Sequence, residues 1–517
     1  MSKLIIISNR LPVTIDKKEG ELFYHPSAGG LATGLGSLDN SKDKLWVGWA
    51  GKVIRDKSLK PEITASLREQ KLVPVFLTQK EVELFYEGFS NKVIWPHFHY
   101  FTQYTTYNDK YWDSYVKVNQ KFANVVAEII EPDDMIWVHD YQLMLLPQMI
   151  REKFPDISIG FFLHIPFPSY EVFRILPWRK QILQGVLGAD QIGFHTFGYM
   201  RHFLSAAYRI TGHEHDLGKL TINNRLVNVD VFPMGIDYNK YAYPNIKGGM
   251  SDIIPERFKR KGRKLILSID RLDYTKGIPE RLHAFRKLLD KHPKYIGQVT
   301  LAMIVVPSRS NVDQYQELKD EVDTLVGRIN ADFRSFDWSP VFYFYRSFSF
   351  RDLTSLYRGA DIALITPLRD GMNLVAKEFI ASREESKNGV LILSEMAGAA
   401  DELTEALIVN PHDANDVAEA LVRALEMPEE EQRNRLEFMQ DKLRKHTVKL
   451  WAETFINEQI EIVEYSQTNA KNISKTESTH RKQLIEQFNT AKNPLVILDY
   501  DGTLMNFHND PQAVVPD

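Results

Sequence analysis

The sequence predicts an α/β protein made of two doubly wound domains in tandem. Short apolar runs bounded by turn residues alternate with stretches of helical period, the pattern of buried parallel strands covered by helices. The alternation stops at Phe232-Pro-Met-Gly-Ile-Asp237 and restarts at Lys264. Polar residues gather at the ends of the apolar runs, where open parallel sheets bind ligands.

In order, the first half offers strands at residues 3–8, 46–49, 72–77, 135–138, 158–163, 189–194 and 226–231, with helical period at 81–89 and 111–130. A polar segment follows the first strand, and Ser27-Ala-Gly-Gly-Leu31 opens a further helix. The second half offers strands at 264–269, 299–306, 341–345, 361–366 and 389–393, and helices at 279–291, 313–329, 350–359 and 413–426. Pro279 suits a first helical turn. Residues 443–465 read as one long helix, and 466–479 as a polar linker. The expected domains are 1–236, 237–449, a crossover helix 450–465, a linker 466–492 and a last segment 493–517.

Composition narrows the function. A chain of 517 residues, 44% hydrophobic and 26% charged, is long enough for more than one sizeable core. A net charge of −4 gives no basic surplus for nucleic acid or an anionic membrane. With no cysteine, disulfides, thiolate catalysis and Cys-ligated metals are excluded, which is consistent with a cytoplasmic location. The N-terminal apolar run is too short for a signal peptide, and no apolar stretch is long enough to span a bilayer. Metal motifs are absent; His213-Glu-His215 is best explained as a solvated loop.

The chemistry sits at strand exits. Thr366-Pro-Leu-Arg-Asp-Gly-Met-Asn-Leu-Val-Ala-Lys-Glu378 follows an apolar strand and feeds a helix, so backbone N–H groups and the helix dipole favour an anion there. Arg271 and Lys276 lie on one loop ahead of another helix, a pairing that suits a diphosphate but that salt bridges to Asp270 or Asp273 also explain. Gly29-Gly30 would let backbone approach a phosphate, or simply form a tight turn. Arg10 and Arg309 follow other strands. Asp140 and His164 could bind hydroxyls, while Tyr86 and Trp95 belong to an aromatic-rich region that serves sugar faces or core packing. Together these features point to a nucleotide-sugar transferase rather than a hydrolase or a dehydrogenase.

Ser8-Asn-Arg10, Ser27-Ala-Gly-Gly-Leu31, Trp95-Pro-His-Phe-His-Tyr100, Val138-His-Asp-Tyr141, Phe161-Phe-Leu-His-Ile-Pro-Phe-Pro168, Arg271-Leu-Asp-Tyr-Thr-Lys-Gly277 and the run from Thr366 to Glu378 resemble trehalose-6-phosphate synthases, in the same order, over about residues 1–465. The resemblance implies a GT-B fold: two Rossmann-like domains facing a cleft, with a C-terminal helix crossing back to the first. It also implies retaining transfer of glucose from a nucleoside diphosphate glucose, usually UDP-glucose, to glucose 6-phosphate, without a cofactor. Gly30, Arg271 and Lys276 would then hold the donor diphosphate, Asp370 and the backbone of Met372, Asn373, Leu374 and Val375 the donor glucose and phosphate, and Glu378 the ribose. His164 would contact the donor sugar, and Arg10, Tyr86, Trp95, Asp140 and Arg309 the acceptor. His164, Asp370, Arg271 and Lys276 are the expected catalytic group. A homo-oligomer is compatible with this reading. Arg369 and Lys377 receive no role.

The tail Leu495-Val-Ile-Leu-Asp-Tyr-Asp-Gly-Thr-Leu504 resembles the first motif of haloacid-dehalogenase-type phosphatases, with Asp499 as nucleophile, Asp501 as general acid and Mg²⁺ nearby. One strand and a loop make no phosphatase core, so the expectation is the start of a second catalytic domain without activity. Two alternatives stay open: a transferase using another phosphorylated acceptor such as glycerol 3-phosphate, and a silent ligand-binding regulator.

Overall fold

The computed structural model describes residues 3–18, 21–26, 43–223, 225–245, 262–308, 313–472, 478–492 and 495. Strands of the first half are β1 (Leu4–Arg10), β2 (Val13–Lys18), β3 (Glu21–Pro26), β4 (Lys44–Trp49), β5 (Leu72–Pro74), β6 (Met135–His139), β7 (Ser158–Phe162), β8 (Gln191–Phe194), β9 (His215–Asp216), β10 (Lys219–Ile222) and β11 (Arg225–Val231). The second half adds β12 (Lys264–Arg271), β13 (Val299–Val306), β14 (Val341–Phe344), β15 (Ile362–Ile365), β16 (Val390–Ser394) and β17 (Leu407–Val409).

Among the described residues the first sheet has nine strands in the order β5-β4-β1-β6-β7-β8-β11-β10-β9, and the second has six in the order β14-β13-β12-β15-β16-β17. Strands β5 to β11 of the first sheet pair in parallel, and β10 and β9 extend its edge antiparallel. The second sheet is parallel throughout. In each sheet the chain winds outward one way, returns to the middle and winds out the other way. The reversals fall between β1 and β6 and between β12 and β15, and such reversals open the crevice where doubly wound sheets bind ligands.

Both sheets are buried on two faces, as their near-continuous apolar strands require. One face of the first sheet packs on helices that include Asp109–Ala127 and Phe197–Thr211. Its other face, with Ile6, Trp46, Trp137 and Phe162, is covered by Val448, Trp451, Phe455 and Ile456 of the helix Val448–Asn472. Trp137 stacks on Phe455 with ring centroids 4.6 Å apart. Gln459 of the same helix donates to the Ile136 carbonyl at 3.1 Å and to Ser158 Oγ at 2.9 Å.

Several expected elements differ. The polar segment after β1 is the antiparallel hairpin β2–β3. His215 lies in the short edge strand β9 rather than a loop. The strand expected at 72–77 ends at Pro74, tolerable because β5 is an edge. Residues Val82–Ile94 wind as a π-helix, a form common at functional sites, which apolar spacing does not distinguish from an α-helix.

The helix expected at 443–465 is two helices, Glu429–Lys445 and Val448–Asn472. Thr447 between them bridges to Ile236 in parallel, and Val448 N–H donates to the Ile236 carbonyl at 3.1 Å. A Cβ on Gly235 would lie 2.1 Å from the His446 carbonyl oxygen, so glycine permits this pairing of the two chain crossings. The expected linker at 466–479 begins as helix, because residues 466–472 contain no Gly or Pro to stop it. The first compact unit is Met1–Val463, and beyond it Ser478–Thr490 is helical. Among the described residues, no helix is long and apolar enough to cross a membrane.

Candidate functional site at the two switch points

In the second sheet, buried Arg281 organises the loops. Its guanidinium donates to Ser268, to Asp270 at 2.8 Å, to Thr366 Oγ1 at 3.1 Å and to the Lys276 carbonyl at 2.9 Å. It thereby ties β12, the loop after β12 and the exit of β15 together. Burial pushes the Asp270 carboxyl up, with Arg281 and Lys276 opposing. Asp273 accepts from Thr275 N–H and caps the turn Tyr274–Lys276. The two aspartates that could have neutralised Arg271 and Lys276 are thus engaged elsewhere. Arg271 stays exposed.

Lys276 Nζ instead donates to Asp370 Oδ2 at 2.6 Å, and Asn373 Nδ2 donates to the same oxygen at 2.9 Å. Burial raises the Asp370 pKa, but Lys276 outweighs it and holds the carboxyl below its ordinary value. Asn373 has φ +74°, a left-handed conformation that asparagine tolerates. Its Oδ1 accepts from Ala376 N–H at 3.1 Å and caps the helix Leu374–Ser382. Glu378 on that helix accepts from Tyr241 Oη at 2.9 Å and Tyr357 Oη at 2.8 Å. Burial raises its pKa despite both phenols. Buried Lys377 points the other way: it pairs with Glu402 at 2.9 Å and donates to the Met234 carbonyl at 2.8 Å.

In the first sheet, the Arg10 guanidinium at the end of β1 lies over the rings of Trp49 and Tyr86, at 5.0 and 5.7 Å from their centroids. Asp140 follows β6 with φ +77°, and its Oδ1 accepts from His164 N–H at 3.2 Å. His164 follows β7, and its Nε2 lies 3.1 Å from His139 Nδ1. Burial, aided by His195, draws the His164 pKa well down.

The two switch points meet. Trp95 Nε1 donates to Asp273 at 3.4 Å, and Arg271 lies over the Trp95 ring at 5.7 Å. Arg369 lies over Tyr100 at 4.0 Å. Tyr199 Oη donates to the Asp370 carbonyl at 3.0 Å. A Cβ on Gly371 would stand 2.2 Å from the His164 carbonyl oxygen, so only glycine allows that approach.

Seven of the expected site residues therefore fall into three groups. Lys276, Asp370 and Asn373 touch one another, Arg10 and Tyr86 share an aromatic corner, and Asp140 and His164 are bonded. Trp95, expected on the acceptor side, is buried beneath Arg271. Met372 packs in the second sheet's core, with its carbonyl accepting from Ala399 at 2.7 Å, and Leu374 touches the cores of both sheets. Val375 lines the first turn of the helix. Gly30, Arg309, Asp499, Asp501 and the expected helix at Ser27 lie outside the described residues. Sequence reasoning gave no role to Arg281, Tyr241, Tyr357, Trp49 or His139. Only His139 carried a signal, standing at a strand exit beside Asp140. Arg369, left without a role, is a contact between the two halves.

Two parallel doubly wound sheets joined at their switch points, with cations and carboxylates on one side and an Arg-aromatic corner on the other, define a GT-B glycosyltransferase. The family model for glycosyltransferase family 20 matches residues 2–461, and the chain belongs to that family. It is 43% identical over 527 aligned positions to a bifunctional trehalose-6-phosphate synthase/phosphatase of Thermoproteus tenax, an alignment covering 100% of this chain and 71% of that one. It is also similar to an Escherichia coli structure bound with UDP-2-fluoro glucose, with 34% identity, TM-score 0.80 and coverage of 89% and 99%. A UDP-forming α,α-trehalose-phosphate synthase from Burkholderia xenovorans, solved in complex with glucose-6-phosphate, gives 33% identity, TM-score 0.79 and coverage of 89% and 100%.

Proposed function

We propose that this glycosyltransferase moves glucose from UDP-glucose to glucose 6-phosphate with retention, releasing UDP and α,α-trehalose 6-phosphate. The observation that carries the reading is the meeting of the two switch points, Arg271 and Lys276 on one side and His164 and Asp140 on the other, in a chain similar to proteins solved with a UDP-sugar analogue and with glucose-6-phosphate. The acceptor-binding domain is 1–236, the donor-binding domain 237–449 and the crossover helix 450–465.

Arg271 and Lys276 bind the leaving diphosphate together with Gly30, and the backbone of 372–375 binds donor phosphate and sugar. Asp370 takes glucose hydroxyls, and its ion pair keeps it ionised for that task. Glu378 retains lone pairs beyond those used by its two phenols, so it can accept from ribose hydroxyls. Arg10, Tyr86, Trp95 and Arg309 surround the acceptor phosphate, with Asp140 on an acceptor hydroxyl.

The acceptor oxygen bonds to the donor's anomeric carbon on the face from which the phosphate oxygen leaves. That departing oxygen takes the acceptor's proton, so atoms and charge balance without an enzyme nucleophile. Catalysis then rests on positioning and on stabilising the diphosphate. Cytoplasmic residence and a homo-oligomer are compatible with this reading, and light scattering reads the latter.

Incubation with UDP-, GDP- or ADP-glucose and either glucose 6-phosphate or glycerol 3-phosphate tests the proposal. The expected product is α,α-trehalose 6-phosphate, formed with UDP release. Transfer only to glycerol 3-phosphate, or no UDP release at all, overturns it. Arg271→Ala with near-normal turnover would remove that residue from the leaving-group role.

A further inference from the structure

Three histidines stand side by side across neighbouring strands of the first sheet. His139 closes β6, His164 follows β7 and His195 follows β8. Ring centroids are 5.3 Å apart between His139 and His164, and 5.5 Å between His164 and His195. The nitrogens His139 Nδ1 and His164 Nε2 are 3.1 Å apart, so one donates and the other accepts.

The surroundings of His139 decide which. Its side chain is wholly buried, and among the described residues its Nε2 has no hydrogen-bond partner. The rings beside it, apart from His164, belong to Trp137 and Trp451, and an indole carries a donor but no acceptor. A proton on Nε2 of His139 would therefore add a third buried N–H without an acceptor to those of Trp137 and Trp451, which also lack partners among the described residues, and each such group costs its full desolvation. A proton on Nδ1 leaves only an unpaired lone pair and makes the bond to His164. Burial keeps both rings neutral. His164, accepting at Nε2, must then carry its own proton on Nδ1.

We propose that His139 is a positioning residue: by donating from Nδ1 to Nε2 of His164, it fixes His164 as the Nδ1–H tautomer. This deepens the reading in which His164 meets the donor sugar. The nitrogen left for a ligand is then a hydrogen-bond donor to a sugar hydroxyl, and the one lone pair of His164, on Nε2, is held by His139 and is not free to take the acceptor's proton. Free histidine favours the opposite tautomer, so the arrangement is imposed by the partner.

Long-range ¹H–¹⁵N spectra of protein labelled at histidine test this, with His164 assigned by the signals lost in His164→Asn. In the wild type, His164 Nδ1 is expected to be pyrrole-like and Nε2 pyridine-like. In His139→Leu the tautomer shifts toward Nε2–H and kcat falls on the order of 10- to 100-fold, the usual scale for an orienting partner. KM for glucose 6-phosphate changes less. His139→Asn, whose amide can donate from a similar place, recovers most of the turnover and the Nδ1–H tautomer. A wild-type spectrum with the proton on Nε2 overturns the proposal, and so does a Leu variant with unchanged tautomer and turnover. UDP release by the wild type reads the parent proposal separately, since the spectrum depends on no substrate.

Discussion

The exits of β1 and β15 both stand beside the reversal of their own sheet, yet they are built differently. At the exit of β15, Asp370 is bonded by Lys276 and Asn373, Asn373 caps the following helix, and Glu378 is held by two phenols. At the exit of β1, Arg10 is exposed and lies over two aromatic rings. One wall is assembled before any ligand arrives, whereas the other presents a cation on a greasy support. Orientation of a sugar for substitution calls for rigid, pre-bonded groups, while capture of a phosphate calls for an accessible charge. The difference in construction matches the two tasks proposed.

The largest effect should come from Gly371→Ala, which strikes where the exit of β15 touches the first sheet at His164, after β7. Its Cβ would meet the His164 carbonyl, and neither backbone can move without shifting a wall. Turnover should fall on the order of 100-fold, as misplacement by about 1 Å does elsewhere. Steady-state kinetics checks it, and near-normal kcat would mean that the contact is not kept during catalysis.

Lys276→Met comes next and bears on the pre-bonded wall. Removing one partner of a largely buried pair should cost about 3 kcal/mol in urea unfolding. Its pH dependence has a definite sign. A carboxyl held below its unfolded value contributes stability above that value and loses it as pH falls through the folded one. The gap between wild type and Lys276→Met should therefore be full at pH 7 and shrink below about pH 4. A gap that stayed constant would show that Asp370 is not the partner that matters.

Arg10→Ala should be the mildest and sharpens the contrast. Stability should change by no more than about 0.5 kcal/mol, as at most surface sites. KM for glucose 6-phosphate should rise about tenfold, the worth of one charge-assisted hydrogen bond, with KM for UDP-glucose unchanged. An equal rise for both substrates would erase the division between the walls.

The fold was legible because strand exits and a broken alternation are local signals. Arg10, Asp140, His164, Arg271 and Asp370 stand out by position at the ends of apolar runs. Arg281, Tyr241 and Tyr357 were not, because each sits within or beside a helix and matters only for what it reaches. Tyr241 and Glu378 are 137 residues apart in sequence. The break at His446 escaped for the same reason, being imposed by a bridge to Ile236 and not by any residue unfit for a helix. The hairpin β2–β3 escaped because its alternation, Val13-Thr-Ile-Asp16, is short and runs out at Lys17 and Lys18.

The helix that covers the first sheet has a consequence for how the chain is made. By the time a ribosome has reached Lys445, it has delivered all the strands described for both sheets. Yet Ile6, Trp46, Trp137 and Phe162 still lack Trp451, Phe455 and Ile456. Ile63 and Leu67 of the helix Lys60–Glu69 cover part of that face early, but the rest must wait while the whole second sheet is synthesised, and such exposed apolar surface is what chaperones bind and what aggregates share. Truncation before Val448 should therefore yield an insoluble product even though both sheets are encoded in full.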